Sequence, residues 1–259
     1  MIEVRGLSRT FKLTKKQRKE RLDDAKTLKA VDDISFTSHP GRVFALLGPN
    51  GAGKTTTLRI ISALLQPSGG TVKVCGHDIS QREEVHRCIG FFTGSTKLYD
   101  RLTPYEMVRY FADLHKMPRA RFEVRVKEYF DLLDMQSFAH RRIGKLSGGM
   151  KQKVSVVRTI IHDPDVVILD EATVGLDVIA AEAIIAMVRM LRDQGKTVIF
   201  STHIMGEVSL LADDLAIIAN GRLVFNDTWE AFRASMQSDS LEREFIRVVH
   251  GENAQEVVS

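Results

Sequence analysis

The feature that most constrains this chain is a glycine-rich stretch closed by a lysine and a hydroxyl residue: Gly48, Pro49, Asn50, Gly51, Ala52, Gly53, Lys54 and Thr55. A short apolar run over 43–47 precedes it, and apolar residues at helical spacing follow it, at Leu58, Ile61 and Leu65. The glycines can adopt backbone angles closed to other residues, so successive N–H groups can turn towards phosphate oxygens. The stretch therefore predicts a strand, a phosphate-binding loop and a helix, in that order.

This pattern is that of a P-loop, in which each residue type has a chemical task. We expect Lys54 to reach the β and γ phosphates of a nucleotide and the Thr55 hydroxyl to ligate Mg²⁺. Backbone groups of the loop and of the first helical turn, through Thr56, complete the predicted phosphate site. The alternative is a glycine-rich turn that matches by accident, which the flanking strand and helix patterns disfavour.

Apolar periodicity divides the chain into three parts. Strands are predicted in the first part, over 2–11, 28–37, 43–47, 71–74 and 89–92. A helical block follows, over 104–115, 121–133 and 147–161. Strands and helices alternate in the last part, with elements over 166–169, 178–192 and 197–200, a helix after His203, a hairpin around Asn220-Gly221 and small helices over 226–259.

This order of elements predicts an α/β fold. We expect a P-loop NTPase core with a mostly parallel sheet, an N-terminal antiparallel β subdomain and an inserted α-helical subdomain. The composition, 44% apolar and 27% charged, is that of a soluble globular protein, and no segment approaches a membrane span. Without a signal-peptide core, the chain is expected in the cytosol. Cys75 and Cys88 lack the spacing of a metal or redox pair, so we expect reduced, space-filling residues.

Two acidic residues follow a strongly apolar predicted strand. Asp170 and Glu171 come directly after residues 166–169, so a buried strand would deliver both carboxylates to the sheet edge where α/β folds bind ligands. We expect Asp170 to support the Mg²⁺ bound by Thr55, and Glu171 to orient or deprotonate an attacking water. Such a pair is weak evidence alone, because Asp and Glu often end strands for solubility.

A second anion-binding loop is predicted over residues 146–152, which read Leu-Ser-Gly-Gly-Met-Lys-Gln. Ser147 stands at the cap position of a helix, and Gly148 and Gly149 expose backbone N–H groups. An ordinary capped helix start is the alternative. The chain thus offers two loops suited to phosphate.

With these motifs in this order, the chain resembles the ATP-binding subunits of ABC transporters. Six motifs carry the resemblance: Walker A at 48–55, the signature at 146–150, Walker B at 166–170, Glu171, the D-loop at 175–177 and the switch histidine His203. The resemblance implies an ABC ATPase domain over 1–235, with the helical subdomain inserted at about 95–162, and a short C-terminal extension over 236–259.

The resemblance also implies substrates and partners. ATP and Mg²⁺ would be held between the P-loop of one subunit and the signature loop of another in a head-to-tail dimer, either a homodimer or a pair with another ATPase subunit. Glu171, His203 and Lys54 would be catalytic, Asp177 of the D-loop would contribute to the nucleotide site, and Phe11 would stack on adenine unless it only packs. The motor would drive transport, with export expected, through a membrane subunit at the cytoplasmic face of the cell membrane.

Two positions depart from the family pattern. Gly94 stands where most relatives have the Q-loop glutamine that touches Mg²⁺ and senses the membrane partner, and Ser95 or Thr96 could supply a hydroxyl instead. Ala172 replaces the usual proline after the Walker B glutamate, which removes a backbone constraint and no chemical group. Residues 93–104 look most like the ABC exporters associated with sodium extrusion.

Two other functions are compatible with an ABC ATPase. Soluble relatives that remodel nucleic acid or ribosomes usually carry two cassettes or a long coiled coil, and this chain has one cassette and no sustained heptads. A non-hydrolysing regulatory subunit is disfavoured by the intact set of Lys54, Asp170, Glu171 and His203. We therefore expect a transporter motor.

Positive charge is concentrated near the N-terminus. Residues 12–29 hold eight Lys or Arg against three Asp or Glu, whereas the whole chain has a net charge of +4. The remainder is close to neutral, so no nucleic-acid partner is expected. The segment is either a solvated loop or an arm that contacts anionic lipid headgroups or an acidic patch of the membrane subunit.

Overall fold

The computed structural model describes residues 1–14, 16, 26–94 and 97–250. Its strands are β1 (Ile2–Lys12), β2 (Thr27–Ser38), β3 (Arg42–Leu47), β4 (Gly69–Val74), β5 (His77–Asp78), β6 (Ile89–Thr93), β7 (Val166–Asp170), β8 (Thr197–Thr202), β9 (Asp214–Ala219) and β10 (Arg222–Thr228). Its α-helices are α1 (Lys54–Ile61), α2 (Arg82–Cys88), α3 (Pro104–Leu114), α4 (Arg119–Leu132), α5 (Gly148–Ile160), α6 (Val178–Asp193), α7 (Met205–Leu211), α8 (Trp229–Ala234) and α9 (Leu241–His250).

The strands form two sheets. An antiparallel sheet has the strand order β2-β1-β4-β5, and a larger sheet has the order β10-β9-β3-β8-β7-β6. In the larger sheet β9, β3, β8, β7 and β6 are parallel, and β10 pairs antiparallel with β9. Strands β7 and β8 are buried at every residue, as expected for a parallel sheet covered on both faces. The predicted α/β class, with an antiparallel N-terminal sheet and a mostly parallel core, is confirmed.

Local sequence signals account for several element boundaries. Thr103 caps α3 in a reciprocal capping box with Glu106, and Pro104 is the first helical residue. Asn220 and Gly221 join β9 to β10 with φ angles of 49° and 79°, the left-handed pair of a tight hairpin turn. The predicted hairpin is therefore present, and its turn lies next to the P-loop.

Two parts of the predicted element order are wrong. Residues 226–228 belong to β10 and not to the C-terminal helices, because pairing with residues 214–216 of β9 outweighs the low strand propensity of Asn226 and Asp227. The sequence analysis also did not predict the short elements β5 and α2.

Residues 15 and 17–25 of the basic segment, and Ser95 and Thr96, lie outside the described residues.

The parallel strands bring the predicted site residues to one edge of the larger sheet. Leu47 at the end of β3 pairs with Thr202 at the end of β8, and Asp170 at the end of β7 pairs with Ser201. The P-loop, the acidic pair and His203 therefore follow neighbouring strand ends. Across the described ranges, no helix is both long and apolar enough to cross a membrane.

Candidate functional site

The P-loop is enclosed by backbone from two other strands. A Cβ atom on Gly48 would lie 2.3 Å from the carbonyl oxygen of Ile218 in β9. A Cβ atom on Gly53 would lie 2.4 Å from the carbonyl oxygen of Ala30 in β2, and Gly53 also has a φ of 110°. Only glycine fits these two positions, because any side chain would collide with fixed backbone.

Hydrogen bonds tie the P-loop to the β9–β10 turn. The Gly221 N–H donates to the Ala52 carbonyl oxygen at 3.0 Å, and the Gly221 carbonyl oxygen accepts from the Asp32 N–H at 2.8 Å. The loop is thereby fixed between β2 and the hairpin turn. Its glycine-rich backbone has a defined shape in the chain alone, which is the property a phosphate cradle needs.

Lys54 is held at the bottom of the loop. Its side chain is only 5% exposed, and its Nζ donates to the carbonyl oxygens of Gly48 at 2.7 Å and Pro49 at 3.2 Å. The same Nζ lies 3.4 Å from Oε1 of Glu171. A buried ammonium group requires such partners, so the loop and the carboxylate together fix the lysine. Thr55 and Thr56 follow it in the first turn of α1 and are partly exposed.

The two carboxylates at the end of β7 are positioned by Ser201 of β8. The Ser201 hydroxyl donates to Oδ1 of Asp170 at 2.6 Å, and the Glu171 N–H lies 3.1 Å from the Ser201 carbonyl oxygen and 3.2 Å from its hydroxyl. Glu171 has a φ of 53°, which is uncommon for a residue with a side chain and is held by these contacts. Asp170 is buried and Glu171 is partly exposed.

His203 completes a three-residue cluster. Its Nδ1 lies 3.4 Å from the same Glu171 Oε1 that faces Lys54. The histidine is held at the start of α7, because the Thr202 hydroxyl donates to the buried Glu207 at 2.5 Å and accepts from the Ile204 N–H at 3.0 Å. A carboxylate between an ammonium group and an imidazole, beside an anion-binding loop, can orient a water towards a bound phosphate.

The signature loop is exposed at the start of α5. The Ser147 side chain caps the helix by accepting from the Met150 N–H at 3.3 Å, and Gly148 is exposed beside it. Gly149 lies against Leu176, whose side chain would be 3.4 Å from a Cβ atom there. No hydrogen bond within the described part of the chain joins Ser147 to the P-loop. The structure therefore does not bring the two predicted phosphate loops together within one chain.

Helix α5 nevertheless contacts the loop after Walker B. The Gln152 side-chain amide donates to the carbonyl oxygen of Ala172, the residue that follows Glu171. Asp177, further along that loop, caps α6 by accepting from the Ala180 N–H at 2.8 Å, and it is exposed. The predicted D-loop residue thus has a structural task as a helix cap and is also open at the surface.

Phe11 lies on the strand pair that borders the P-loop. It pairs with Leu28 of β2, two positions before Ala30, whose carbonyl oxygen abuts Gly53. The Arg9 guanidinium stacks over the Phe11 ring at 4.7 Å. One ring face is therefore covered by a cation, and stacking on a base would use the other face.

Gly94 opens onto a cleft beside the signature helix. It is exposed, and a Cβ atom there would meet nothing within 4 Å. The cleft encloses about 440 Å³ and is lined by Lys97, Gly148, Lys151 and Gln152, among others. The position of the missing Q-loop glutamine therefore faces the signature helix.

Sequence reasoning missed the residues that hold the site together. Ser201 and Gln152 act through side-chain hydrogen bonds to other segments, and Ile218 and Ala30 act through their backbone carbonyl oxygens. The sequence indicates Ser201 only weakly, as a polar residue directly after an apolar run. In the structure it pairs with Asp170 on the neighbouring strand.

Comparisons with known proteins agree with this geometry. The ABC transporter family model matches residues 31–174, more than half of the chain. The ABC transporter ATP-binding protein NatA of Bacillus subtilis (strain 168) is 40% identical over 232 residues, covering 88% of this chain and 94% of that protein. The Nod factor export ATP-binding protein I of Paraburkholderia xenovorans (strain LB400) is 38% identical over 209 residues, covering 79% of this chain and 68% of that protein.

Solved structures give the same result. An ATP-binding subunit of an ABC transporter matches with a TM-score of 0.83 at 26% identity, covering 96% of this chain and 99% of that one. A dimeric ATP-binding cassette bound to ADP and Pi matches with a TM-score of 0.76 at 22% identity, covering 88% and 98% of the two chains, and supports the fold alone. The glycine-lined loop, the strand-end carboxylates and these similarities lead to one conclusion: the chain belongs to the ABC transporter family, as an ATP-binding protein.

Proposed function

We propose that this chain is the ATP-hydrolysing motor subunit of an ABC transporter. Two such subunits would bind ATP head to tail, and ATP binding and hydrolysis would drive export through a separate membrane subunit. The observation that carries the proposal is the position of Glu171 Oε1, 3.4 Å from both Lys54 Nζ and His203 Nδ1. This arrangement suits phosphate binding and the orientation of an attacking water.

Phosphate binding would use the residues that the structure already holds in place. The backbone of residues 48–53, enclosed by β2 and β9, would present N–H groups to the phosphates, together with Thr56 in the first helical turn. Lys54 would exchange its bonds to the Gly48 and Pro49 carbonyl oxygens for the β and γ phosphates. Phe11 would supply the surface for adenine on its uncovered face.

The residues present fit a Mg²⁺ ion. Thr55 and Asp170 offer a hydroxyl and a carboxylate, the hard oxygen ligands that Mg²⁺ prefers, and the Ser201 hydroxyl bonded to Oδ1 orients the Asp170 carboxylate. When bound, the ion would neutralise charge on the phosphate oxygens. Gly94 adds no ligand in place of the Q-loop glutamine.

Hydrolysis would depend on Glu171 and His203. The fixed backbone of Glu171 directs its carboxylate to the open edge of the sheet, where it would orient a water for attack on the γ phosphate. His203, held by the Thr202–Glu207 contact, would contact that phosphate from the neighbouring strand end.

A second subunit would complete each nucleotide site. Ser147 and Gly148 are exposed at a helix start, and Gly149 follows them, so the loop is suited to a phosphate bound by another chain. Asp177 is exposed next to Val178 and Ile179, whose side chains are 86% and 81% exposed. Apolar side chains that are this exposed are typical of a surface that a partner subunit covers.

The wider assignment rests on the relatives. Two of them are named as the ATP-binding protein of an ABC transporter and an export ATP-binding protein, which supports export and a place at the cytoplasmic face of the cell membrane. We assign the ABC ATPase domain to 1–235, with the helical subdomain at about 95–162, and the extension to 236–259. The basic segment 12–29 remains a proposed contact with anionic lipid or the membrane subunit.

A mixing experiment tests the shared site. Ser147→Arg should block the signature loop and Lys54→Ala should disable the P-loop, so each variant alone should lack ATPase activity. Mixed dimers contain one intact composite site and one doubly damaged site, so an equal mixture should regain roughly a quarter of wild-type activity. Ser80→Arg, at an exposed serine outside the motifs, is the matched control and should remain active. Full activity of either single variant as a monomer in sedimentation would contradict the proposal.

A further inference from the structure

The Arg9 side chain lies behind the ring of Phe11, on strand β1. The two residues are two positions apart on this strand, so both side chains leave the same face of the antiparallel sheet. The central guanidinium carbon of Arg9 lies 4.7 Å from the centroid of the Phe11 ring. A guanidinium at this distance is attracted by the negative π face of the ring. The cation therefore covers one face of Phe11 through a favourable contact.

A hydrogen bond fixes the guanidinium in this place. Nη1 of Arg9 donates to the carbonyl oxygen of Gln66 at 2.8 Å. Gln66 belongs to the connection between α1 and β4, which is itself bonded to β1. The Ser68 N–H donates to the Ser8 carbonyl oxygen at 2.8 Å, and the Ser68 hydroxyl accepts from the Thr10 N–H at 3.1 Å. The guanidinium is thereby anchored to the segment that follows the P-loop helix.

The position of Arg9 carries a cost in stability. Its Nε is buried and has no hydrogen-bond partner among the residues that the structure describes. A buried N–H donor that exchanges water for no partner destabilises the folded state. An apolar side chain over the ring would avoid this cost, so the packing of the sheet alone does not account for an arginine here.

The ring of Phe11 is placed beside the P-loop. Phe11 pairs with Leu28 of β2, and the Ala30 carbonyl oxygen, two positions further along β2, abuts Gly53. A base joined to phosphates in the P-loop would meet the face of the ring that Arg9 leaves free. The ring would then lie between the base on one side and the guanidinium on the other.

A cation behind an aromatic ring has two effects on a base in front of it. The contact holds the ring in one orientation, so less side-chain freedom is lost when the base binds. The positive charge also draws the π electrons of the ring towards itself, which makes the opposite face less negative. The π face of adenine is rich in electrons and stacks more favourably on such a face. Both effects strengthen binding of the base and leave the phosphates untouched.

We propose that Arg9 is a positioning residue for the base of ATP, because its guanidinium supports the Phe11 ring from behind and strengthens stacking on the opposite face. This inference rests on the proposed role of Phe11 in binding adenine. Arg9 acts through the ring, so its removal should raise KM for ATP and leave kcat unchanged.

Titrations with ATP and with inorganic tripolyphosphate separate the base from the phosphates. Arg9→Met keeps an unbranched side chain over the ring and removes the charge and the bond to Gln66. It should weaken ATP affinity by about three- to fivefold and leave tripolyphosphate affinity unchanged, which also shows that the P-loop is intact. Arg5→Met, at an exposed arginine of the same strand, is the matched control and should bind both ligands as the wild type does.

A double-mutant cycle with Phe11→Ala tests whether Arg9 acts through the ring. In that background, Arg9→Met should have no further effect on ATP affinity. The proposal is overturned if Arg9→Met binds ATP as the wild type does while Phe11→Ala still weakens binding. It is also overturned if Arg9→Met weakens ATP binding equally with and without the ring, or weakens tripolyphosphate as much as ATP. An ATP affinity that Phe11→Ala leaves unchanged would instead refute the adenine-binding role of Phe11, and this inference with it.

Discussion

His162 makes the stability of the fold depend on pH. It follows α5, and its ring stacks on that of His115 with centroids 3.8 Å apart. Its Nε2 lies 3.3 Å from the Ile89 carbonyl oxygen. Burial and then His115 lower the pKa of His162 to about 4, Lys196 acts in the same direction, and the Ile89 carbonyl and Asp163 oppose them.

The sign and size of the effect follow from proton linkage. An unfolded histidine has a pKa near 6.5, so between about pH 6.5 and 4 the unfolded chain binds a proton at this residue and the folded chain does not. The contribution of His162 to folding stability is therefore fully present above about pH 6.5 and is lost as the pH falls towards 4. With a folded pKa of about 4, the loss between pH 7 and 5 is about 2 kcal/mol. Burial also lowers the pKa of His115, which adds in the same direction.

Urea unfolding at pH 7 and at pH 5 measures this loss. His162→Gln retains an N–H donor for the Ile89 carbonyl but does not titrate, so its stability should fall by about 2 kcal/mol less than that of the wild type over this range. His39→Gln, at an exposed histidine, is the control and should follow the wild type. An equal loss for wild type and His162→Gln would show that His162 is not held neutral in the fold.

Three further substitutions test individual contacts. Gly53→Ala should destabilise the chain by about 1–3 kcal/mol in urea unfolding and abolish ATP binding, because its Cβ would lie 2.4 Å from a carbonyl oxygen, whereas Gly94→Ala has open space and should be neutral. Phe11→Ala should weaken ATP affinity in titration by about tenfold if the ring stacks on adenine, and an unchanged affinity would mean that Phe11 only packs against its neighbours. Ser201→Ala should lower kcat by about tenfold with little change in KM, because it removes the hydroxyl that orients the Asp170 carboxylate and that helps to hold the Glu171 backbone, and an unchanged kcat would refute that role.

The sequence was most informative where a local pattern determines a local structure. The glycines of residues 48–53, the apolar strand before Asp170 and the Asn220-Gly221 turn each predict an element whose form depends on near neighbours. The order of apolar strands then places the P-loop, Glu171 and His203 at one sheet edge, because parallel strands end together.

Contacts between distant segments could not be predicted from one sequence. The Ser201 hydroxyl reaches Asp170 across a strand pair, and the Gln152 amide reaches the Ala172 carbonyl, although neither residue stands out in the sequence. The extension of β10 through Thr228 likewise depends on its partner strand, because its own residues favour a turn.

The account depends most directly on Glu171 as the residue that orients the attacking water. Glu171→Gln keeps the shape of the side chain and removes its charge, while Glu182→Gln alters an exposed glutamate of α6 and serves as the control. ATP affinity, ATP turnover and sedimentation should be measured on the same samples. We predict that Glu171→Gln retains ATP binding, loses turnover by about 100-fold or more and accumulates as an ATP-dependent dimer, with the control unchanged. Turnover equal to that of the wild type would contradict the assignment.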